Sequence, residues 1–363
     1  MVVRAFALNA KTLAITHEIP FMSCEVSCAL NAPSSWSMEL PVSYTSPTGV
    51  ELLTSENLAT NKSLVAIVDG ANTVMVGLVE AEDGEIDEET YSVMIGGRDA
   101  GLGYLARRLW TSAKTTYTAV DQFTIAANIV DVATFLGIGP SGITMSYSPS
   151  STSGVTRDRT YTSIDRKFLL ELLDELANVE NGFEYTAAPG GSYATGFFPG
   201  ILLGYPSLER KTNLTLALGK NIKTLSYKRD GTRYSNVVNV GGANKSETQL
   251  IATGVKTSDL SIYPYYMSTE SRSTVTVQAT LQAWADRYIK LYGNPPTQYD
   301  VVLNPDDPDC QVGSFRCGDE FRLIAKKGRL NVDSLFRVSQ WSLSVSNNGE
   351  RNLSMSLFET GTI

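Results

Sequence analysis

The chain has 363 residues, of which 42% are hydrophobic and 19% are charged, and its formal net charge is −8. This length suits two or three domains, and the hydrophobic content argues against disorder. An acidic chain is a poor match for nucleic-acid phosphates, which need clustered Lys and Arg. No apolar run approaches the roughly 18 residues of a membrane span, and the N-terminus lacks the apolar core of a signal peptide. We therefore expect no stable membrane insertion, and synthesis in a cytoplasm.

The first strong pattern is an alternation near the start of the chain. Residues 22–30 place Met, Cys, Val or Leu at every second position, and residues 36–44 repeat the pattern with Trp, Met, Leu, Val and Tyr. This period predicts β-strands with one packed face, because a helix would scatter these residues around its circumference. The polar segment 31–35 between the two runs predicts a β-hairpin. Further strands are expected at 64–68, 73–79 and 91–95, which indicates a small barrel or sandwich.

The middle of the chain has helical periodicity. We predict helices over residues 102–110, 125–136 and 165–180, the last with a leucine-rich stripe along one face. Thr162 and Asp165 have the spacing of a capping box at its start. Helices followed by a new strand near residue 183 indicate an α+β domain.

The end of the chain returns to β character. Residues 222–229 and 234–240 flank Asp230-Gly231, a turn sequence, and predict a hairpin. A helix is expected over 281–292. The last residues, 336–358, alternate apolar side chains with serines on both sides of an Asn-Gly pair, which predicts a closing hairpin.

The predicted fold class is therefore α+β, mostly β, with two small β-barrel domains and an α+β insertion between them. The expected domains are an N-terminal β-barrel over 1–98, an α+β insertion over 99–220, a second β-barrel formed by 221–241 and 296–363, and a helix-containing insertion over 242–295.

One segment matches a dinucleotide-binding fingerprint. Residues 101–106 spell Gly-Leu-Gly-Tyr-Leu-Ala after a strand, and Asp121 follows twenty residues after Gly101. The fingerprint also needs a second parallel strand near residue 121, but 111–118 is polar and 124–136 has a helical pattern. We interpret the glycines as a domain boundary and keep a bound cofactor as the alternative.

Two acidic clusters raise the possibility of a metal site. Residues 80–89 contain seven carboxylates, and a second cluster consists of Asp306, Asp307 and Asp309 beside two prolines. The order of ligands in a calcium loop is absent from both. We interpret the first cluster as a solvated acidic loop and the second as a rigid exposed turn, and predict no metal site.

The four cysteines match no common zinc or redox spacing, and the chain has a single histidine, His17. Cys24 and Cys28 fall on the packed face of the first hairpin. We interpret them, with Cys310 and Cys317, as buried free thiols, leaving a metal or disulfide role open. His17 would have to serve any hydrolytic triad, but the GxSxG and HExxH motifs are absent. We therefore predict no catalytic, cofactor-binding or metal-binding residues, and no enzyme.

The order of elements resembles that of the baseplate hub proteins, or minor tail proteins, of long-tailed bacteriophages. The resemblance rests on the β unit at the start, the helix, Asn-Gly and strand within 159–185, the segment 222–240, and Phe336-Arg337-Val338 leading into the last hairpin. It covers most of the chain. Related hubs occur in contractile tails and type VI secretion spikes.

The resemblance implies a structural virion protein at the tail tip, assembled in the host cytoplasm. Hubs of this kind are homotrimers in which two barrels from each subunit form a ring of six that docks on the sixfold tail tube. Implied partners are a distal tail protein or tube ring, the tape measure protein, and tail tip or fibre proteins. Genomic DNA would pass through without sequence-specific binding. Because the chain ends soon after the last hairpin, we expect no cell-wall hydrolase domain.

Two other functions stay open. Tyr263, Tyr265 and Tyr266 lie in an expected loop and could stack on sugars, which would suit a receptor- or carbohydrate-binding tail protein. A glycosidase or a nucleotide-dependent enzyme is the other alternative.

Overall fold

A computed structural model describes residues 2–45, 49, 51–54, 56–86, 91–134, 138, 142–179, 181–245, 248–273, 275–293, 297–305 and 307–359. Strands account for 51% of the described residues and helices for 15%. This confirms an α+β protein that is mostly β. Among the described residues, no helix is long and apolar enough to span a membrane.

The strands, in chain order, are β1 (Val3–Asn9), β2 (Ile15–Ile19), β3 (Ser23–Ala29), β4 (Ser35–Leu40), β5 (Ser63–Asp69), β6 (Asn72–Leu78), β7 (Ala81–Ile86), β8 (Tyr91–Arg98), β9 (Lys114–Asp121), β10 (Thr144–Ser148), β11 (Thr156–Thr162), β12 (Glu184–Ala187), β13 (Gly190–Ser192), β14 (Gly196–Phe198), β15 (Gly200–Gly204), β16 (Lys211–Ala217), β17 (Ile222–Arg229), β18 (Val237–Lys245), β19 (Thr248–Val255), β20 (Met267–Ser271), β21 (Thr297–Leu303), β22 (Glu320–Lys327), β23 (Leu330–Val345) and β24 (Arg351–Glu359). The α-helices are α1 (Leu102–Leu105), α2 (Gln122–Thr134), α3 (Leu169–Ala177) and α4 (Gln278–Tyr292).

A ten-stranded sheet organises the molecule. Eight of its strands follow the order β17-β21-β24-β23-β3-β4-β8-β7, which we call the eight-strand series. The other two strands are β22, which pairs with β23, and β16, which pairs with β22. The hairpins predicted at the two ends of the chain, β3-β4 and β23-β24, are confirmed. They also pair with each other, since Trp341 lies opposite Cys28 and Leu343 opposite Val26. The two ends of the chain therefore build one sheet.

The long strand β23 makes this junction. Its first part, Leu330 to Arg337, pairs with β22, and its last part, Gln340 to Val345, pairs with β3. An irregularity between Val338 and Gln340 separates the two parts, as expected where a strand bends from one partner to another.

A four-stranded sheet in the order β2-β1-β5-β6 belongs to the N-terminal β unit. A single apolar core contains side chains from this sheet, such as Ile67, and from the C-terminal strands, such as Leu357. Strand pairing among the described residues shows no closed barrel, although an isolated bridge joins Leu218, after β16, to Ile222 of β17. The two-barrel arrangement and the expected domain boundaries therefore stay predictions.

The α+β region has its own core, where α2 and α3 pack with the sheet β10-β15-β12.

Two helix boundaries differ from the prediction. The predicted helix over 102–110 was too long, since α1 ends at Leu105. The start of the third helix was also wrong. Thr162 Oγ1 donates to Asp165 Oδ2 beside a 3₁₀ turn, whereas Phe168 caps α3 and Glu171 Oε2 accepts from its backbone N–H.

The predicted hairpin over 222–240 is wrong. Strand β17 pairs with β21, and β18 pairs with β19 and β20 under α4. Turn chemistry at Asp230-Gly231 reports only local geometry, so it does not reveal a partner strand about seventy residues away along the chain.

Candidate functional surface

One side of the ten-stranded sheet is turned away from the apolar core. This side carries the polar residues that alternate with apolar ones in the sequence. Because alternate side chains point to opposite faces, the apolar members of each hairpin enter the core and the residues between them point outward. We call the outward residues of five adjacent strands the serine face. Its members are Ser23, Glu25, Ser27, Ser35, Ser37, Glu39, Gln298, Asp300, Val302, Gln340, Ser342, Ser344, Asn352, Ser354 and Ser356.

Hydrogen bonds between side chains on neighbouring strands connect this face. Ser342 Oγ lies 2.7 Å from Ser354 Oγ, and Gln340 Nε2 donates to Ser27 Oγ at 2.7 Å. Ser356 Oγ donates to an oxygen of Asp300 at 2.6 Å. Such pairs across strands stabilise a sheet and keep its short side chains close to the backbone.

The serine face carries negative charge. Glu25, Glu39 and Asp300 belong to it, and none of its members is Lys or Arg. The same side continues over β7, where Asp83 and Glu85 lie opposite Met94 and Ser92. At the other end it continues over β17, where the exposed Lys228 lies opposite Gln298. Like charges repel, so this surface disfavours contact with phosphate. A depression of about 350 Å³ lies on this face, beside Glu25 and Glu39.

The glycine fingerprint at 101–106 is used for folding. Gly101 N and Leu102 N donate to Asp99 Oδ1 at 3.0 and 2.7 Å, and Ser34 N donates to Asp99 Oδ2 at 2.8 Å. The amides that would bind a pyrophosphate therefore already bind a carboxylate. Burial raises the pKa of Asp99 to about 6. The strand that follows, β9, pairs antiparallel with β11, so the parallel unit that the fingerprint requires is missing here.

The first acidic cluster is a strand, not the solvated loop predicted from its charge. Residues 81–86 form β7, whose backbone pairs with β8, and residues 81–85 are exposed. Glu80 lies beside it and binds Arg98, with Nη2 to Oε1 at 2.7 Å. Residues 87–89 are outside the described part of the chain. Within the described part, no group of three or more potential ligands is arranged to hold a metal ion.

In the second acidic cluster, Asp307 has a structural role. Its side chain accepts from Asp309 N at 2.9 Å and begins a 3₁₀ turn that contains Pro308. This agrees with a rigid turn. Asp306 lies outside the described residues.

All four cysteines are buried free thiols, as interpreted from the sequence. Burial raises the pKa of Cys24 and of Cys317 to about 12 and that of Cys310 to about 11, and it raises the pKa of Cys28 well above its ordinary value. Cys317 Sγ lies 3.3 Å from the carbonyl oxygen of Cys28. These thiols pack the junction between the two β units.

His17 lies on β2, at one edge of the four-stranded sheet. Its Nδ1 is 3.1 Å from Thr16 Oγ1, and burial lowers its pKa. Its Nε2 is buried without a hydrogen-bond partner among the described residues. A triad needs a nucleophile on one ring nitrogen and a carboxylate on the other. Among the described residues no carboxylate binds this ring, and the Thr16 hydroxyl already donates to the carbonyl oxygen of Ala7 at 3.1 Å.

The expected tyrosine loop is exposed. Tyr263, Tyr265 and Tyr266 expose 51%, 68% and 47% of their surface. Tyr234 lies under them, with ring centroids 5.9 Å from Tyr263 and 5.6 Å from Tyr266. This packing orders part of the loop and leaves the aromatic faces available for contact.

Sequence inspection missed the buried ion pair between Glu184 and Arg337. It also missed the opposite charges of β17 and β7, the outer strands of the eight-strand series. No local signal marks either feature, because each depends on residues brought together by long-range strand pairing.

The fold matches solved structures of phage tail proteins. The 43 kDa tail protein of prophage MuSo2 from Shewanella oneidensis superposes with a TM-score of 0.68 at 13% identity, over 98% of each chain. A tail protein from Neisseria meningitidis MC58 gives 0.62 at 11% identity, over 100% of this chain and 98% of that one. The prophage tail protein gp18 from Listeria monocytogenes gives 0.56 at 11% identity, over 97% and 94%.

No protein-family model and no curated protein sequence matches the chain. Identities of this size carry the fold alone. The resemblance predicted from the order of elements is confirmed at that level: the chain has the fold of phage tail proteins.

Proposed function

We propose that the chain is a structural component of a phage tail, the baseplate hub that closes the distal end of the tail tube and passes DNA. The observation that carries this proposal is the serine face, a broad sheet surface of small hydroxyl side chains with carboxylates and no basic residue. A surface that lines a DNA passage should not bind phosphate, and this composition meets that requirement. The matches to phage tail proteins support the same role.

The same proposal includes a homotrimer. The eight-strand series takes four strands from the N-terminal β unit and four from the C-terminal one. We infer that these are two similar barrel-like units. Three copies would then present six units to a sixfold tube and a threefold face to the tip. A repeated heterologous contact that closes on itself produces such a ring.

The proposed neighbours follow from this position. A distal tail protein or the last tube ring would contact the sixfold side, and tip or fibre proteins would contact the threefold side. The tape measure protein and then the genome would pass along the serine face. The protein would be found in the virion, at the tail tip.

Cryo-electron microscopy of tails that contain the chain tests the proposal. We expect three copies on the tail axis with the serine face toward the lumen, and a position off the axis would refute the role. A functional test replaces Glu25 and Glu39 with Lys. These particles should assemble but eject DNA more slowly, whereas Glu56→Lys with Asp286→Lys, exposed residues away from the face, should eject normally.

A second candidate is receptor or carbohydrate binding through the tyrosine loop. The exposed rings of Tyr263, Tyr265 and Tyr266 favour it, since aromatic faces stack on sugars. Binding of the full chain to host cell walls, lost on Tyr265→Ala and kept on Tyr193→Ala, would support it. Tyr193 is a fair control because it is 65% exposed in a different part of the fold. The absence of cell-wall binding would exclude this role.

A further inference from the structure

The small three-stranded sheet β19-β18-β20 has an apolar face in solvent. Helix α4 packs on the other face, where Val238 and Val240 are buried. Alternate residues point to opposite faces, so Ile251, Val255 and Met267 lie on the face turned away from α4. These three residues are 58%, 41% and 62% exposed. A sheet face that meets only water is normally polar, as the serine face of the same chain is.

The tyrosine loop enlarges this surface, because Tyr266 immediately precedes Met267 at the start of β20. Ile262 of the same loop is 70% exposed. We call the exposed large apolar residues of the sheet face and the loop the apolar patch, which consists of Ile251, Val255, Ile262, Tyr263, Tyr265, Tyr266 and Met267. Together they expose on the order of 800 Å², whereas the largest apolar patch on a typical monomer has roughly 300–600 Å². A patch of this size indicates an interaction surface.

The composition of the apolar patch favours a protein as the bound partner. The outward residues beside it on the sheet are neutral, such as Asn239 and Thr269, and Asp259 of the loop is buried and paired with Lys256 at 3.1 Å. Tyrosine and methionine without central charges are typical of the core of a protein interface. An aliphatic side chain such as Ile251 offers no hydrogen bond to a sugar hydroxyl, but it packs well against apolar side chains of a protein.

Buried side chains order the tyrosine loop before any partner binds. The Nδ2 atom of the buried Asn236 donates to the carbonyl oxygen of Pro264 at 2.8 Å, and its Oδ1 accepts from Tyr266 N at 2.9 Å. Beneath the loop, Tyr234 OH donates to Asp259 Oδ2 at 2.7 Å. A loop that is already ordered loses little conformational entropy on binding. Its tyrosines can therefore act as rigid anchors, a residue type that is enriched among the side chains that dominate binding energy.

The area and the symmetry of the contact point to a different protein. A stable complex of standard size buries about 800 Å² on each partner, so the apolar patch is large enough for one complete interface. Two copies of the chain joined through the same patch would form a twofold dimer, because such a contact is isologous. A twofold contact does not produce the threefold ring of the proposed function.

We propose that the apolar patch binds a different protein of the tail, one that presents an apolar and uncharged surface of similar area. The proposal deepens the proposed function and rests on it for the choice between a different protein and a second copy of the chain. Tyr265, which is 68% exposed, would be buried against the partner, and Ile251 and Met267 would pack beside it.

Photocrosslinking in purified tails tests which molecule covers the patch. The photoreactive residue p-benzoylphenylalanine replaces Tyr265 in the full chain, and it replaces the exposed Tyr193 in a control. After irradiation, mass spectrometry identifies the cross-linked product. We expect position 265 to cross-link to a different tail protein, within an uncharged stretch of that protein, and position 193 to give no such product. Cross-links from position 265 to another copy of the chain, or to no protein, would overturn the proposal.

Binding measurements then test whether the apolar side chains hold the partner. The patch variant carries Ile251→Ser, Tyr265→Ser and Met267→Ser. The control variant removes side chains that are 67%, 84% and 65% exposed elsewhere in the fold, through Val42→Ser, Ile164→Ser and Tyr193→Ser. Circular dichroism and thermal melting establish that each full chain folds. The purified cross-linked protein should bind the patch variant at least tenfold more weakly than the wild type and should bind the control variant normally. Equal affinities for the wild type and the patch variant contradict the proposal.

Two further outcomes separate this interface from other roles of the chain. Cell-wall binding that is lost in the patch variant, without a protein cross-link in tails, would overturn the proposal in favour of carbohydrate binding. A chain that lies off the tail axis but cross-links to a different tail protein would refute the hub and support the interface. A chain on the axis whose position 265 cross-links only to its own copies would support the hub and refute the interface.

Discussion

Arg337 and Glu184 form a buried bidentate ion pair that ties the α+β region to the ten-stranded sheet. Arg337 Nη1 lies 2.9 Å from Glu184 Oε1, and Nη2 lies 2.5 Å from Oε2. Glu184 Oε2 also accepts from Leu208 N at 2.7 Å, and Arg337 Nε donates to the carbonyl oxygen of Gly318 at 3.0 Å. Each charge therefore has several partners, as a buried pair requires.

Removing one partner of this pair should destabilise the protein strongly. Arg337→Met leaves the Glu184 carboxylate buried without its counter-ion, and we expect a loss of about 3–5 kcal/mol in the free energy of unfolding. Urea denaturation measures it. The matched control is Glu18→Gln, which breaks the exposed bidentate pair with Arg4 and should change stability little. Equal losses of unfolding free energy in Arg337→Met and Glu18→Gln would show that burial of an ion pair does not determine how much its removal destabilises the protein.

Gly77 has no room for a side chain. A Cβ atom there would lie 2.0 Å from Nε1 of Trp36, whose indole is buried and donates to the carbonyl oxygen of Leu78. Gly77→Ala should therefore lower the free energy of unfolding by about 1–3 kcal/mol or more through overpacking. In Gly84→Ala the nearest atom is 3.8 Å away, so its melting temperature should match the wild type. A Gly77→Ala variant with an unchanged free energy of unfolding would mean that the Trp36 side chain can move to make room for the added methyl group.

Asp99 should make stability depend on pH in an unusual direction. Its pKa is about 6 when folded, above the ordinary 3.8. A raised carboxyl pKa means that the folded state disfavours the charge, so its contribution to stability falls as pH rises from about 4 to about 6. The shift corresponds to at most about 3 kcal/mol.

The Asp99→Asn variant isolates this effect, because it keeps the size of the side chain and removes its titration. We expect the unfolding free energy of the wild type relative to the variant to fall between about pH 4 and pH 6 and to be flat above about pH 7. Urea titrations of both proteins across this range provide the measurement. A difference that is constant or rises with pH would contradict the assignment.

The thiols should be unreactive in the folded protein. Burial raises the pKa of all four, so the reactive thiolate is scarce at pH 8. We expect a thiol reagent to label none of them in the native state and all of them in denaturant. Ser35→Cys, on the exposed serine face, should label at once and serves as the positive control. Rapid labelling of Cys28 or Cys317 in the native wild type would show that the junction between the β units opens.

Local pattern in the sequence was sufficient for the hairpins at the two ends of the chain. The alternation in 22–44 and in 336–358 reports the packed face directly, and the Asn-Gly pair marks the second turn. The same pattern gave the members of the serine face without revealing that they share one surface. Which strands meet depends on long-range pairing, and no residue type in β3 or β23 encodes a partner at the other end of the chain.

The errors have the same physical origin. The charges of β7 resembled those of a loop, because solvation of its side chains hides the pairing of its backbone with β8. The turn at Asp230-Gly231 was consistent with a hairpin until the partner of β17 proved to be β21. The charges of β7 and β17 could be read from the sequence, but only the sheet order shows that they stand at opposite edges.

The junction made by β23 has a consequence for how the polypeptide is synthesised. Gln340 and Ser27 hydrogen-bond across a separation of 313 residues. Strand β3 therefore emerges from the ribosome long before its neighbour exists, and must wait for nearly the whole message to be translated. Contacts so distant slow folding and leave an unfinished strand open to wrong partners. A truncated product lacking its last few dozen residues would expose this strand permanently and should aggregate.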